Sequence, residues 1–186
     1  SLCWHRVEVL DSNHICYRCN SNMTGEGEVR SFFLLKFFLL FLALLSIDLS
    51  IKWYLNTASI ESITLIPYFL DYFLTKNTGI ALSLFSSSGS FTQILLLIFI
   101  FLALAFLTFT FLKTEDKSQK LGLLLVLAGG FGNFIERFFY GSVTDYLHLR
   151  IGTNSLFVFN FADFLITMGA VSVSYTHLTL PTSFLV

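Results

Sequence analysis

The sequence predicts an all-α membrane protein with four transmembrane helices and a small β-rich cradle between the first and the second. Three observations lead there. Hydrophobic residues make up 55% of the chain and charged residues only 12%, against roughly 25% charged in soluble domains. The apolar residues, among them 23 phenylalanines, gather into four stretches divided by short polar segments. The segment between the first two stretches is instead of mixed polarity and rich in β-branched residues.

The first stretch, residues 32 to about 51, is long enough to cross a bilayer, which takes roughly 20 residues. Lys36 lies near its start, where it can snorkel to the interface, and Asp48 lies near its end. A cleavable signal peptide is the rival reading; the run is long for one, and no small-residue cleavage site follows. The second stretch, 91–112, carries no charge and is the clearest transmembrane helix. The charged loop Lys113-Thr-Glu-Asp-Lys-Ser-Gln-Lys120 follows it. The third begins at Leu121 and holds Gly129-Gly130-Phe131-Gly132, whose small residues let helices approach closely. The fourth begins near Phe161 and fades after Val173. Residues 52–90 contain Pro67, the β-branched Ile60, Ile63, Thr64 and Ile66, and the turn-like Asn77-Thr78-Gly79; they are expected to form an extended or β-rich element on the membrane surface.

Residues 1–30 are polar and aperiodic, the composition of a disordered or non-native leader. Met23 is a plausible start of translation. Cys16 and Cys19, with His14 and His5 nearby, have the spacing of half a zinc site, but a second ligand pair is missing. No metal and no cofactor is therefore expected. The net charge of −1 gives no sign of a nucleic-acid partner. Lys and Arg near span ends set orientation. Arg30 and Lys36 at the first span, and Lys113, Lys117 and Lys120 after the second, fall on one side, which is then cytoplasmic. Asp145, in the loop after the third stretch, and Asp163, where the fourth begins, fall together on the opposite face.

Ionisable groups in apolar spans cost several kcal/mol unless paired or wet. Asp48 and Lys52 lie four residues apart on one helical face and are expected to form a structural ion pair. At the end of the third span, Glu136 is positioned to cancel Arg137, or Arg137 to face an aspartate and hold it ionised. Asp163 alone reads equally well as a helix N-cap. Two aspartates in one membrane-edge cleft suit a different chemistry. Carboxylates a few ångströms apart share a proton; the ionised one activates a water, and the protonated one polarises the scissile carbonyl. The sequence holds no HExxH, GxSxG or GxxxxGK[ST] motif, and His148 has no evident catalytic partner.

Taken together, Asp48-Leu-Ser-Ile-Lys52, Asn77-Thr-Gly-Ile-Ala81, Gly129-Gly-Phe-Gly-Asn133 with Arg137, Gly141-Ser-Val-Thr-Asp145 and Phe159-Asn-Phe-Ala-Asp163 resemble the motifs of lipoprotein signal peptidase (signal peptidase II), in the same order and over residues 32–173. The resemblance implies a bacterial aspartyl protease of the inner (cytoplasmic) membrane, multi-pass, with four transmembrane helices, both ends cytoplasmic, a small periplasmic β-cradle and its active site near the periplasmic face. It implies a monomer in membrane lipid, cutting diacylglyceryl-modified prolipoproteins just before the lipidated cysteine. It implies Asp145 and Asp163 as the catalytic dyad, with Asn77, Asn133, Arg137 and Asn160 binding substrate or ordering the site. Two positions depart from the family pattern: Glu136 stands where Asp is usual, and Leu82 where Phe is usual. The alternative, from another class, is a non-catalytic small membrane transporter subunit or assembly factor, with the aspartates as caps or part of an ion path; it leaves their shared face unexplained. Last, Val173-Ser-Tyr-Thr-His-Leu-Thr-Leu-Pro-Thr182 is similar to the in-frame translation of a transposase adapter. The peptidase domain is therefore expected to span 31–173, with 174–186 a non-native tail.

Overall fold

The computed structural model describes residues 17–58, 60–79 and 90–179. Cys3, His5, His14, Cys16, Leu82 and the tail from 180 onward lie outside the described residues, as does the side chain of Cys19. Contacts divide the chain into two units, Ser1–Phe38 and Leu39–Val186. In the first, the Lys36 ammonium lies 4.3 Å from the centre of the Phe32 ring, a cation–π contact. The site described below lies wholly within the second.

The order of elements is α1 (Tyr17–Thr57), β1 (Ile63–Ile66), β2 (Leu70–Asn77), α2 (Ser90–Lys113), α3 (Lys117–Tyr140), β3 (Val143–Ile151), β4 (Asn154–Phe159) and α4 (Phe161–Thr179). Among the described residues, three helices are long and apolar enough to cross a membrane: Leu34–Thr57, Thr92–Lys113 and Lys117–Tyr140. The apolar part of α4, Phe161–Thr176, is shorter. Residues 17–30, expected as an irregular leader, are helical and continue into α1; no proline interrupts them. At its other end α1 runs past Ile51 to Thr57, and α4 runs past Val173 to Thr179. The third helix starts at Lys117 rather than Leu121, because Asp116 caps it by accepting a hydrogen bond from Gln119 N at 2.7 Å. Its other end is fixed by Gly141, whose φ of 69° is left-handed and whose N–H donates to Arg137 O at 2.9 Å. A glycine takes that conformation at least cost, and the chain turns there into β3.

The strands form one antiparallel sheet in the order β1-β2-β3-β4. The molecule is thus not purely α-helical, and the sheet is not confined to the segment between the first two apolar helices. Half of it comes from the segment between α3 and α4. The physical reason is that an isolated two-stranded hairpin is marginal in water. β3 supplies partners for the free side of β2, pairing Thr75 with Asp145 and Asn77 with Val143.

Burial runs opposite to that of a soluble protein. Phe38, Phe99, Phe106 and Phe109 on the helices are exposed, while Asp48, Lys52, Glu136, Arg137, Thr144, Asp145 and Asn160 are buried. An apolar exterior is stable against lipid, and the interior polar groups then have to satisfy one another.

Helices α3 and α4 meet through small residues. A Cβ on Gly129 would collide with the backbone oxygen of Ala162, and one on Gly169 would lie 2.5 Å from Gly122 O. A Cβ on Gly130 would instead meet the flexible end of Leu104 at 2.7 Å. Gly129→Ala is therefore expected to force the helices apart and cost about 1–3 kcal/mol. Gly130→Ala should be nearly neutral, since Leu104 can move aside and alanine favours helix. Thermal unfolding of the two variants in detergent checks the contrast.

Candidate active site

The site forms where α1 and α3 end, α4 begins, and strands β2 and β3 cross between them. Near the end of α1, Asp48 and Lys52 are almost wholly buried, with Lys52 Nζ 2.9 Å from Asp48 Oδ2. The expected ion pair is present but is not isolated. Lys52 Nζ also donates to Asn133 Oδ1 at 2.7 Å and lies 3.6 Å from Glu136 Oε2. Gly132 leaves room for this arrangement, since a side chain there would strike the Asp48 carboxylate.

Glu136 makes no direct salt bridge with Arg137, contrary to one reading of their adjacency, although its charge still acts on the guanidinium. Its carboxylate accepts from Thr144 N at 2.8 Å and from the Thr144 hydroxyl, and lies 3.7 Å from Lys76 Nζ. Adjacent helical positions do not face each other, so Glu136 turns toward β3 and Arg137 elsewhere. Arg137 donates through Nη2 to Gly79 O at 2.6 Å, tying the segment after β2 to α3. Its charge is felt by both Asp145 and Asp163, but neither forms a direct salt bridge with it.

Asp145 is 2% exposed. Its Oδ2 accepts from Asn77 Nδ2 at 3.0 Å and its Oδ1 from Asn160 Nδ2 at 2.6 Å. Asn77 is held in turn by accepting from Gly79 N at 3.0 Å, an Asx turn. Burial pushes the Asp145 carboxyl above the ordinary carboxylate range. The negative charge of Asp163 adds to that, while the amide donors of Asn77 and Asn160 and the charge of Lys52 oppose it.

Asp163 lies in the first turn of α4, but the N-cap is Asn160. Asn160 Oδ1 accepts from Asp163 N at 2.9 Å, and Asp163 Oδ2 accepts from Asn160 N at 3.2 Å. This is the reciprocal geometry of a capping box. Asp163 Oδ1 accepts from Asn133 Nδ2 at 2.8 Å. Asn160 thus touches both aspartates, accepting from the backbone of one and donating to the carboxylate of the other.

All six residues expected at the site are brought together here, and the Asp48–Lys52 pair abuts them. Sequence reasoning missed four contributors. The Thr144 hydroxyl accepts from Asn56 Nδ2 at 3.0 Å and from Lys76 Nζ at 2.7 Å, besides its bond to Glu136. The Tyr146 hydroxyl accepts from Phe161 N at 3.1 Å, covering another free N–H of α4, and burial pushes it up to about 12. The one available signal was the adjacency of Thr144 and Tyr146 to Asp145 and of Lys76 to Asn77. His148, on the same strand as Asp145, lies 2.7 Å from Ser155 Oγ through Nε2 and 3.7 Å from Asp71 through Nδ1. Asp71 also pairs with Arg150 at 2.9 Å, so this cluster links β2, β3 and β4.

A family model described as signal peptidase (SPase) II matches residues 40–179. The lipoprotein signal peptidase of Allorhizobium ampelinum is 38% identical over 134 residues, 71% of this chain and 81% of the relative. That of Mesorhizobium japonicum is 34% identical over 146 residues, 75% of this chain and 83% of the relative. A solved structure, described as a bacterial membrane enzyme obtained by the in meso method at 1.9 Å resolution, superposes with a TM-score of 0.69 at 26% identity; the match covers 79% of this chain and 95% of that one.

The hydrogen bond from Asn77 favours the ionised form of Asp145, so Asn77→Ala should raise the Asp145 pKa further. A raised carboxyl pKa stabilises the fold below the ordinary carboxylate value, and that contribution disappears as pH rises through the raised value. In Asn77→Ala the melting temperature should therefore fall over a pH window that extends higher than in the parent. A ¹³C titration of the Asp145 carboxyl, with melting curves at matched pH, measures both shifts.

Proposed function

The chain belongs to the signal peptidase II family, the peptidases that remove signal peptides from prolipoproteins, and from that premise we propose that it cuts them as an aspartyl endopeptidase with Asp145 and Asp163 as the reacting pair. The observation that carries the reading is the Asn160 side chain bridging the two aspartates. It joins one strand and one helix start into a single site.

The burial that raises the Asp145 pKa suits it to hold the shared proton. Asp163 accepts two hydrogen bonds in the first turn of a helix, an arrangement that suits a carboxylate. In the proposed reaction a water attacks the scissile carbonyl carbon and gives its proton to Asp163, while Asp145 gives its own to the carbonyl oxygen. The tetrahedral diol then collapses and the C–N bond breaks. The nitrogen takes the proton from Asp163, one diol hydroxyl returns a proton to Asp145, and the dyad is restored.

The proposed substrate carries a diacylglyceryl group on the cysteine that follows the cut. Its support is the position of the pair between the end of α3 at Tyr140 and the start of α4 at Phe161. At that edge acyl chains can stay in the bilayer while the peptide reaches water. We assign four spans, α4 being the fourth, with both ends cytoplasmic in the bacterial inner membrane. Lys113, Lys117 and Lys120 lie at the junction of α2 and α3, one helix length from the aspartates; the positive-inside rule then puts the site and the sheet on the periplasmic side.

Asp145→Asn and Asp163→Asn should each reduce cleavage of a lipid-modified prolipoprotein by about a thousandfold or more, within the range lost with a general acid or base, while the protein still inserts. Substantial activity in either variant would remove that residue from the mechanism. In the same assay the precursor lacking the diacylglyceryl group should be cut poorly; equal rates on the two precursors would sink the lipid requirement.

A further inference from the structure

The Asn133 carboxamide sits between a cation and an aspartate. Its oxygen accepts from Lys52 Nζ at 2.7 Å, and its nitrogen donates to Asp163 Oδ1 at 2.8 Å. The two ends of a carboxamide have nearly the same shape, so packing alone does not choose between its two orientations. Lys52 does choose. If the amide turned over, its N–H would point at the ammonium and its oxygen at the Asp163 carboxylate, and both contacts would be repulsive.

Lys52 is buried for another purpose at the same time. With its side chain 3% exposed, it faces Asp48 at 2.9 Å and Glu136 at 3.6 Å. Glu136 in turn holds Thr144 through N–H and hydroxyl, and Thr144 immediately precedes Asp145. A buried ion pair contributes little net stability once desolvation is counted, and apolar residues of similar volume often do as well. What apolar residues could not do is orient Asn133.

We infer that Lys52 is a positioning residue for the cleavage reaction, fixing the Asn133 amide so that Asp163 always meets an N–H, and bracing Thr144 beside Asp145 through Glu136. The inference rests on the assignment of Asp145 and Asp163 as the reacting pair.

The test uses the full chain in detergent or nanodiscs and a lipid-modified prolipoprotein as substrate. Lys52→Arg keeps a cation opposite Asp48 and Glu136. A cavity of about 520 Å³ beside Lys52, lined also by Asn56, Trp53 and Phe139, admits the larger head. The guanidinium, one bond longer and with its N–H groups in a fixed planar fork, cannot put a donor where Nζ meets Asn133 Oδ1 while it also faces Asp48 and Glu136. The variant should melt close to the parent with KM unchanged, while kcat falls on the order of a hundredfold, the cost of about 1 Å of misplacement. The acid limb of its pH–kcat profile should also differ from the parent's, a change that a merely structural role would not produce. In an Asn133→Ala background, Lys52→Arg should add no further loss in kcat. Should Lys52→Arg fold poorly, the neutral pair Asp48→Asn with Lys52→Met removes both charges together; its kcat per folded molecule should fall at least as far, and in the Asn133→Ala background it should add only the part that runs through Glu136 and Thr144.

A folded Lys52 variant with the parental kcat and pH profile overturns the inference. So does a loss that follows only the fraction of folded protein, or one that adds fully to Asn133→Ala. Asp163→Asn, assayed alongside, separates the two levels. If it is active, the dyad assignment has failed; if it is inactive while Lys52→Arg behaves as the parent, only the role of Lys52 has.

Discussion

One side chain holds the site together. Asn160 caps α4 by accepting from Asp163 N, and its amide nitrogen reaches Asp145 on β3. Capping residues usually satisfy one free N–H of their own helix. Here the same carboxamide also sets where that helix begins relative to the sheet. The Tyr146 hydroxyl reinforces the joint by accepting from Phe161 N. With the helix start fixed at both points, Asp163 cannot move along α4 without breaking the cap.

A second constraint follows from the apolar exterior. Phenylalanines and leucines cover the helices on the outside, so polar side chains turned inward have no bulk water to satisfy them. Each must find a partner inside the molecule, because an unpaired buried charge costs several kcal/mol. Asp48, Lys52, Glu136, Asn133 and Thr144 solve this as one network joining α1, α3 and β3. Asn133 and Thr144 are also the points at which that network reaches the neighbourhood of the aspartates. The groups that make the interior electrically tolerable are therefore the groups that fix the site.

The glycines of α3 make the same region possible sterically. Gly129 lets the start of α4 approach at Ala162, and Gly132 leaves space for the Asp48 carboxylate. The close contact of Gly129 with Ala162 lies about one turn from Asn133, which donates to Asp163 across the gap. A bulkier stretch would hold the helices apart and stretch that bond.

The sequence by itself determined the apolar stretches and their order, because these depend on composition and local spacing; the six polar residues brought together at the site were implied by its resemblance to the family's motifs. It placed the end of the third span at Glu136 and Arg137, about one turn short of the observed end at Tyr140, where Gly141 takes the left-handed turn. It did not determine the full sheet. The pairing of β2 with β3 joins residues far apart in the chain, and periodicity carries no register across such a separation. Nor did it determine the partners of Glu136 and Arg137. Their adjacency suggests mutual neutralisation, but the helix turns them apart, one toward Thr144 and the other toward Gly79. The N-cap was ambiguous for a related reason: Asp163 has cap chemistry, and only the backbone path out of β4 makes Asn160 the cap and leaves Asp163 in the first turn. Tertiary structure decided these points because each depends on which distant group fills a hydrogen bond, and a one-dimensional pattern does not encode that distance.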